Sequence, residues 1–355
     1  MALTDEQKEK ISIEIIKTLV TRFESFPADA SNNRNAPFHE AFLRAFSDKL
    51  EGRVSDTPFF ISLSSWLHGL NTTLGMTFFE NVAHCLCDGE KREYTQGKKG
   101  ILKIKQTQKD NINTIITRLK NSETIPNLST ENSQIFQSFN SPNTDALGFS
   151  ADVYYETNDE IVAIELKTVK PNSGEMKGEK QKILEGKAAL YQLSPEKSIH
   201  FFIGFPFDPT VNLAHGESAT SYNKERFFAT IIDISRFFSY DETLVANELW
   251  DFLSGQKNTM EDILKMINAI ATTEFLYKYK FLTDNFNINK PEYITLLQEW
   301  NLFSEKWVIE NNDLIKTKLT NGKLIRKFNK TIFDSKGNYD WERYYELRKL
   351  INRIK

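Results

Sequence analysis

The sequence lacks the features that mark several large classes of protein. Two cysteines among 355 residues cannot build a disulfide framework, which agrees with a reducing compartment. The longest apolar run, residues 199–207, is far shorter than the roughly 20 residues of a membrane span. No P-loop, G-x-G-x-x-G, H-E-x-x-H or G-x-S-x-G pattern occurs, so nucleotide hydrolysis, dinucleotide binding, metalloprotease and serine-hydrolase chemistry have no support. Because the N-terminus is polar, we expect a cytoplasmic protein without a membrane segment.

The chain does contain a globular core and an uneven distribution of charge. Hydrophobic residues make up 40% of it, and 27 Phe, 12 Tyr and 5 Trp exclude a disordered polypeptide. The net charge is only −3, yet residues 91–109 hold seven basic residues against Glu93 alone, and residues 316–355 hold 12 basic residues against four acidic ones. Such local patches fit a polyanionic partner, although solvated helix and loop faces explain either patch alone equally well.

The apolar pattern divides the chain into three regions and predicts an α/β fold with helical additions at both ends. Residues 1–140 are predicted to be helical and to add helices to the core, residues 141–255 to form the α/β core, and residues 256–355 to be mostly helical and basic. Within these regions we expect loops at 91–100 and 121–133, a helix at about 175–193, and strands at 199–205 and 227–234.

The most informative segment is a predicted β-hairpin in the central region. Two short β-branched and aromatic runs are separated by a Thr-Asn-Asp turn. If Asn158 and Asp159 form a two-residue loop, Asp152 lies directly opposite Glu165 on one face of the sheet. Lys167 is two residues farther along the same strand and points to that face too. The predicted register therefore brings two carboxylates and an ammonium group together at one end of the hairpin.

This arrangement suits a divalent metal. Two adjacent carboxylates repel each other unless a cation lies between them. Mg²⁺ prefers one or two carboxylates with waters and a phosphate oxygen, so Asp152 and Glu165 are candidate ligands and the backbone carbonyl of Leu166 is a third. Such an ion lowers the pKa of a bound water and stabilises charge on a phosphoryl oxygen. Lys167 would orient or deprotonate the attacking water, which is chemistry for hydrolysing a phosphodiester.

These residues form the pattern D-x12-E-L-K, which resembles the signature of the PD-(D/E)XK nuclease superfamily. The predicted order of helix, hairpin, helix and strand also matches that family's restriction-endonuclease-like core, a central mixed sheet flanked by helices. The stretch ELKTVKPNSGEMKGEKQKILEGKA is similar to type II restriction endonucleases of the TdeIII type. The resemblance implies a Mg²⁺-dependent homodimer that cuts double-stranded DNA at a short symmetric site, such as a GGNCC-like sequence. It also implies a cognate DNA methyltransferase in the same system.

The sequence leaves two acidic positions open. Ala151 stands where the signature has proline, so Asp145, downstream of Pro142, is an alternative metal ligand. We prefer Asp152, because Asp145 lies in a turn-rich run outside any strand pattern. Glu80, on an early predicted helix, is a candidate supporting acid near the metal, although an exposed helix surface would explain it more simply.

The loop and helix after the motif offer candidate DNA contacts. The six candidates are Lys170, Asn172, Ser173, Lys177, Lys180 and Lys187. Lysines here would meet phosphates, and the short polar groups would suit phosphates or base edges. The competing interpretation is a solvated helix on which lysines pair with glutamates, as we expect for Lys182.

The leading prediction is a type II site-specific deoxyribonuclease. Two alternatives keep the same fold, namely a nuclease of DNA repair or recombination and a non-catalytic DNA-binding protein. Sequence-specific fragments from a plasmid digest would separate the first alternative from restriction, and binding without cleavage would support the second.

Overall fold

The computed structural model describes residues 3–27, 41, 43–54, 57–168 and 173–352. The chain forms two compact units. One comprises Met1–Leu3 and Phe79–Leu264 and contains the β-sheet. The other comprises Thr4–Phe78 and Lys265–Lys355 and is mostly helical. No helix within the described ranges is long and apolar enough to cross a bilayer. The three-region division expected from the sequence stays a prediction.

Seven strands provide the β-structure of the first unit. They are β1 (Glu90–Tyr94), β2 (Lys103–Lys105), β3 (Asn143–Asp145), β4 (Phe149–Glu156), β5 (Glu160–Leu166), β6 (Ser198–Phe205) and β7 (Thr243–Val245). Five of them form a mixed sheet in the order β1-β4-β5-β6-β7, with β1, β4 and β5 antiparallel and β5, β6 and β7 parallel. β2 and β3 form a separate antiparallel ribbon. The predicted α/β class with a central mixed sheet is confirmed.

Helices surround this sheet and build the second unit. In chain order they are α1 (Asp5–Glu24), α2 (Ser47–Leu50), α3 (Thr57–Thr73), α4 (Phe79–Cys87), α5 (Gln106–Lys120), α6 (Leu128–Ile135), α7 (Ser173–Leu193), α8 (Lys224–Thr230), α9 (Ile234–Phe237), α10 (Asn247–Ser254), α11 (Thr259–Ile270), α12 (Phe275–Thr283), α13 (Pro291–Glu299), α14 (Phe303–Glu310), α15 (Asn312–Thr317), α16 (Gly322–Phe328) and α17 (Trp341–Asn352). A π-helical turn, Leu74–Phe78, follows α3. Short 3₁₀ turns lie at Arg44–Phe46, Leu213–His215, Tyr240–Glu242 and Asn285–Asn287.

The β4–β5 hairpin has the register predicted from the sequence. Val153 pairs with Ile164, and the same register continues toward the turn. At the turn, the Thr157 hydroxyl accepts hydrogen bonds from the backbone N–H groups of Asp159 and Glu160, at 3.3 and 3.2 Å. Short polar side chains that bond the backbone in this way favour tight turns, which explains why the Thr-Asn-Asp sequence fixes the pairing.

β4 contains an irregularity where it pairs with the edge strand β1. Glu90 pairs with Tyr154, but Arg92 pairs with Ala151, so the register shifts by one residue between the two pairs. β4 therefore has one extra residue opposite Lys91, which is a β-bulge. Such bulges bend a strand and redirect its side chains, and they are frequent beside active sites.

The sheet lies between helical layers that approach closely at two glycines. A Cβ built on Gly186 of α7 would lie 2.7 Å from Phe201 Cε1, so only glycine lets this helix reach the sheet. A Cβ on Gly204 of β6 would lie 2.9 Å from Ile164 Cγ2 and 3.1 Å from Leu249 Cδ1 of α10. Because side chains alternate along strands, α7 and α10 cover opposite faces of the sheet.

Aromatic packing and a buried ion pair organise the second unit. The Phe275 ring of α12 stacks against Phe23 of α1, with ring centroids 5.5 Å apart, and against Trp300 at 5.6 Å. Arg343 of α17 is buried and donates to Glu305 Oε2 of α14 at 2.6 Å. A buried guanidinium is tolerable only with such a partner, so this pair fixes α17 against α14.

Three local predictions are wrong. Residues 91–94 lie in β1 instead of a loop, residues 128–133 belong to α6, and residues 227–234 lie in and around α8 and α9 instead of a strand. For the two helical segments, the overlooked signals are asparagine N-caps. Asn127 Oδ1 accepts from the N–H of Thr130, and Asn223 caps α8 in the same way. A short apolar run alone does not separate a helix from a strand.

Candidate active site

The central site candidates lie where the β4–β5 hairpin ends. Continuing the observed register by one residue places Asp152 opposite Glu165. Asp152 Oδ2 accepts a hydrogen bond from the backbone N–H of Leu166 at 2.9 Å, which joins the two strands at this point. Lys167 follows, and its Nζ lies 3.1 Å from Glu165 Oε1. The structure thus brings these four residues together, and their chemical roles stay a prediction.

Glu165 is a buried carboxylate whose Oε1 atom contacts two lysines and whose Oε2 atom has no hydrogen bond among the described residues. Its side chain is 8% exposed. Burial raises the pKa of the Glu165 carboxyl, the neighbouring Asp152 raises it further, and Lys182 and Lys167 oppose both effects. The Oε2 atom is buried and accepts no hydrogen bond from the residues that the structure describes. Since buried carboxylate oxygens are almost always paired, this atom is suited to a cation or a donor from outside the chain.

Helix α7 supplies an alternating set of charges around the hairpin end. Its Glu175, Glu179 and Lys182 share one helix face because they are four and three residues apart. Lys182 Nζ lies 2.7 Å from Glu165 Oε1 and 2.5 Å from Glu179 Oε2. Lys167 Nζ lies 2.8 Å from Glu179 Oε1 and 3.5 Å from Glu175. Two lysines are thereby held in place between carboxylates of the strand and the helix.

These contacts also decide the protonation of Lys167. Burial alone would lower the pKa of its ammonium group, but the Glu165 and Glu179 carboxylates raise it above its ordinary value. Burial would raise the pKa of Glu179, but hydrogen bonds from Lys167 and Lys182 lower it below its ordinary value. Both partners therefore favour their charged forms, and Lys167 is a hydrogen-bond donor at neutral pH.

Helix α4 contributes two side chains, one turn apart, on the other side of Asp152. Glu80 is buried, so the interpretation as an exposed helix-surface residue is wrong. Burial raises the pKa of its carboxyl, against the effect of the hydrogen bond from Lys91. Lys91 Nζ lies 3.0 Å from Glu80 Oε1 and 3.1 Å from Asp152 Oδ1. His84 Nε2 lies 2.7 Å from the carbonyl oxygen of Asp152, which makes Nε2 the protonated ring nitrogen.

The donor set fits a hard divalent cation. Asp152 and Glu165 offer carboxylate oxygens, one of them without a hydrogen bond, and the Leu166 backbone lies directly beside Asp152. Within the part of the chain that the structure describes, no three His, Cys, Asp or Glu side chains are grouped as a metal cage. Mg²⁺ needs no such cage, because it usually binds one or two carboxylates and keeps several waters.

The predicted DNA contacts on α7 do not share one environment. Lys180 is fully buried, with its Nζ 2.6 Å from Glu131 Oε2 and 2.5 Å from Glu242 Oε1. Lys187 is buried beside the same Glu242, at 3.7 Å, and burial lowers the pKa of Lys187 to about 8. Ammonium groups inside the protein cannot reach DNA phosphates, so the expectation for these two lysines does not fit the structure.

For the other four candidate DNA contacts, the expectation stays a prediction. Lys177 is half-buried on α7. Lys170 and Asn172 lie outside the described residues, as does the side chain of Ser173.

Asp145 belongs to a different substructure from the hairpin. It ends β3, which contradicts the expectation that it lies outside any strand. It pairs with Lys103 across the β2–β3 ribbon and is 61% exposed. Asp145 is thus exposed to water, whereas Glu165 is buried and keeps one oxygen without a hydrogen bond among the described residues, so Glu165 fits a metal ligand better.

Sequence reasoning missed three residues of this site. Lys182 was expected on a solvated face, but its side chain is 16% exposed and contacts Glu165. Lys91 falls in the predicted loop at 91–100, and the sequence gives no prediction for His84. For His84 a signal existed, because it lies four residues after Glu80 and hence on the same side of α4. Lys91 and Lys182 reach the site only through long-range packing.

Comparison with known proteins places these observations in a family. The family model for the type II restriction endonuclease HinfI matches residues 3–271. The chain is also 41% identical, over 375 aligned positions covering 99% of both chains, to the type II restriction enzyme MjaII of Methanocaldococcus jannaschii. The narrower resemblance to the TdeIII type stays a prediction. Together with the mixed sheet and the acidic hairpin end, these matches show that the chain belongs to the HinfI family of type II restriction endonucleases, which are site-specific nucleases that act on double-stranded DNA.

Proposed function

We propose that this restriction endonuclease requires Mg²⁺ and cleaves DNA at the end of the β4–β5 hairpin. The observation that carries the proposal is the convergence of Asp152, Glu165 and Lys167 there, with Glu165 Oε2 left without a hydrogen bond among the described residues. Asp152, Glu165 and the Leu166 carbonyl would hold the ion. When bound, Mg²⁺ supplies a Lewis acid that activates water and stabilises charge on the phosphoryl oxygens.

The protein's own groups would position the reactants. Lys167 lies between Glu165 and Glu179, and its ammonium group would donate to the attacking water or to a phosphoryl oxygen. Glu179 and Lys182 hold the Lys167 ammonium and the Glu165 carboxylate in a fixed arrangement. Fixed donors of this kind stabilise developing charge without reorganising during the reaction.

We further propose a homodimer that reads a short symmetric sequence, with a GGNCC-like site as the first to test. Two-fold related subunits match the symmetry of a palindromic site, and each would cut one strand. A DNA methyltransferase of the same system would protect the host, and both proteins would act in the cytoplasm.

Digestion of plasmid DNA tests the metal and the sequence specificity together. We expect discrete fragments with Mg²⁺ and none with EDTA. Sequencing the fragment ends would give the recognition bases, the cut position and the overhang. A smear of random ends would contradict site-specific cleavage, and equal cutting in EDTA would contradict the metal requirement. Sedimentation should give twice the monomer mass of 41.1 kDa if the enzyme is a dimer.

Asp152→Ala and Lys167→Ala should each lower the cleavage rate by about 1,000-fold or more, because each removes a group that acts at the reacting phosphate. The rate is measured on plasmid DNA at saturating Mg²⁺, and folding is checked by thermal unfolding. Lys197→Ala is the matched control, since Lys197 pairs with Glu156 at the opposite end of β4. Full activity of either site variant would refute the assignment.

A further inference from the structure

Lys91 is placed opposite the irregular point of the site strand. It lies in β1 at the register shift, so it faces the extra residue that the bulge introduces into β4. The bulge includes the position of Asp152, one of the two proposed metal-binding carboxylates. An edge-strand lysine is thereby directed at an acid of the neighbouring strand.

The Lys91 ammonium bridges two carboxylates from different elements. Its Nζ lies 3.0 and 3.1 Å from the two oxygens of Glu80 on α4, and 3.1 Å from Asp152 Oδ1 on β4. The Lys91 side chain is 40% exposed, whereas Glu80 is 11% and Asp152 13% exposed. The lysine can therefore move toward solvent on its flexible stem, while the two acids stay where the helix and the strand hold them.

The balance of charge leaves room for one more cation. Three lysines of the site, Lys91, Lys167 and Lys182, contact five carboxylates in all. These are Glu80, Asp152, Glu165, Glu175 and Glu179. With all groups ionised, the set has two negative charges in excess, which one divalent ion would neutralise. A metal bound through Asp152 Oδ1 would meet the Lys91 ammonium at the same oxygen, and two cations repel there.

We propose that Lys91 is an internal counter-cation for Asp152 that divalent metal must displace. Without metal, the ammonium neutralises Asp152 and Glu80 together. When metal is taken up, Lys91 gives up Asp152 Oδ1 and stays paired with Glu80, which acts as its anchor. The intrinsic affinity of the site for metal is then reduced by the cost of separating this ion pair. This inference rests on the proposed metal-dependent function.

Calcium binding without DNA tests the proposal by isothermal titration calorimetry. Lys91→Met should bind Ca²⁺ about tenfold more tightly than the wild type, because a unit charge some 3 Å from the ligand oxygen is removed. Lys91→Arg keeps the charge and should bind as the wild type does. Lys197→Met is the control for loss of a lysine that is ion-paired with the far end of β4, at Glu156, and should leave the affinity unchanged.

The outcomes separate this inference from the proposed function. Unchanged or weaker Ca²⁺ binding by Lys91→Met overturns the counter-cation role and leaves the nuclease proposal intact. No Ca²⁺ binding by the wild type, or binding that survives Asp152→Asn, overturns the metal site itself. If thermal unfolding shows that Lys91→Met does not fold, Lys91→Gln replaces it, because its amide still donates to one carboxylate without the charge. The same increase in affinity is expected for that variant.

Discussion

At the scale of single residues, helix α7 shows that a lysine's place on the helix decides its role. Lys180 and Lys187 are seven residues apart and share the inner face with buried Met176 and Leu184. They pair inside the protein with Glu131 and Glu242. The helical period was readable in the sequence and would have indicated burial, but the many charges around this helix obscured it.

The titration of Lys187 should make the free energy of unfolding of the wild type rise between about pH 8 and pH 10.5, and Lys187→Met should abolish this rise. Burial lowers the pKa of Lys187 to about 8, while the ordinary value is 10.5. Between these values the unfolded chain binds more protons than the folded one, so the free energy of unfolding of the wild type increases with pH. Below pH 8 both states are protonated, and the full cost of burying the charge is present.

Urea unfolding of both proteins at several pH values checks this expectation. The wild-type free energy of unfolding, minus that of Lys187→Met, should grow across the interval. Parallel pH profiles would contradict it. Lys197→Met provides the control, because that lysine lies in an ion pair near the hairpin turn.

Site residues that are close together in the chain could be predicted, whereas those that reach the site from distant segments could not. Asp152, Glu165 and Lys167 were found because alternation within one hairpin fixes the faces of residues only 15 positions apart. Lys91 reaches Asp152 only because β1 pairs with β4, and no local pattern specifies that pairing. Lys182 reaches Glu165 through the packing of α7 on the sheet.

At the scale of elements, exposed Gly178 and buried Gly186 of α7 should respond in opposite ways to the same change. Gly186→Ala would place a Cβ 2.7 Å from Phe201 Cε1 and should destabilise the protein by about 1–3 kcal/mol. Gly178→Ala meets no atom within 4 Å and should stabilise it by roughly 0.5–1 kcal/mol, because alanine favours the helix. Urea unfolding measures both, and a stabilising Gly186→Ala would show that α7 can shift away from the sheet.

The elements themselves were predictable where they are long or strongly patterned. The hairpin, α7 and β6 were found close to their observed bounds. β7 has three residues and was missed, because so short a strand carries no readable period. The apolar run at 227–234 is predicted as a strand but lies in and around α8 and α9, since only tertiary contacts distinguish buried helical turns from a buried strand.

At the scale of the whole molecule, charge is distributed unevenly between parts of the chain. The C-terminal 40 residues carry 12 basic residues against four acidic ones, on a protein of net charge −3. Lys323 and Arg326 are exposed on α16. Exposed cations on a DNA-cutting enzyme are expected to neutralise backbone phosphates and to release counterions on binding.

Lys323→Glu with Arg326→Glu should weaken DNA binding about tenfold and reduce the steepness of its salt dependence by about two units of log–log slope. Fluorescence anisotropy in EDTA measures binding without cleavage. The control is Lys8→Glu with Lys10→Glu on α1, an equal change in charge at lysines that already contact Asp5 and Glu6. Equal losses in the two double variants would contradict a specific role for α16.

The sequence did not show which two segments form the helical unit. Thr4–Phe78 and Lys265–Lys355 form one compact unit although nearly 190 residues separate them. Its contacts include the Phe23–Phe275 ring stack, which joins side chains that no periodicity relates. Hydrophobic pattern gives the helices, but it does not state which of them pack together.

The edge strand β1 has a consequence for how copies of this protein can associate. Four of its five residues, Glu90–Glu93, are charged, and the bulge opposite Lys91 shifts the register of its pairing with β4. Proteins use such charges and kinks to keep open strand edges from joining the sheets of other molecules. Copies of this protein are therefore not expected to join their sheets through β1, even at high concentration.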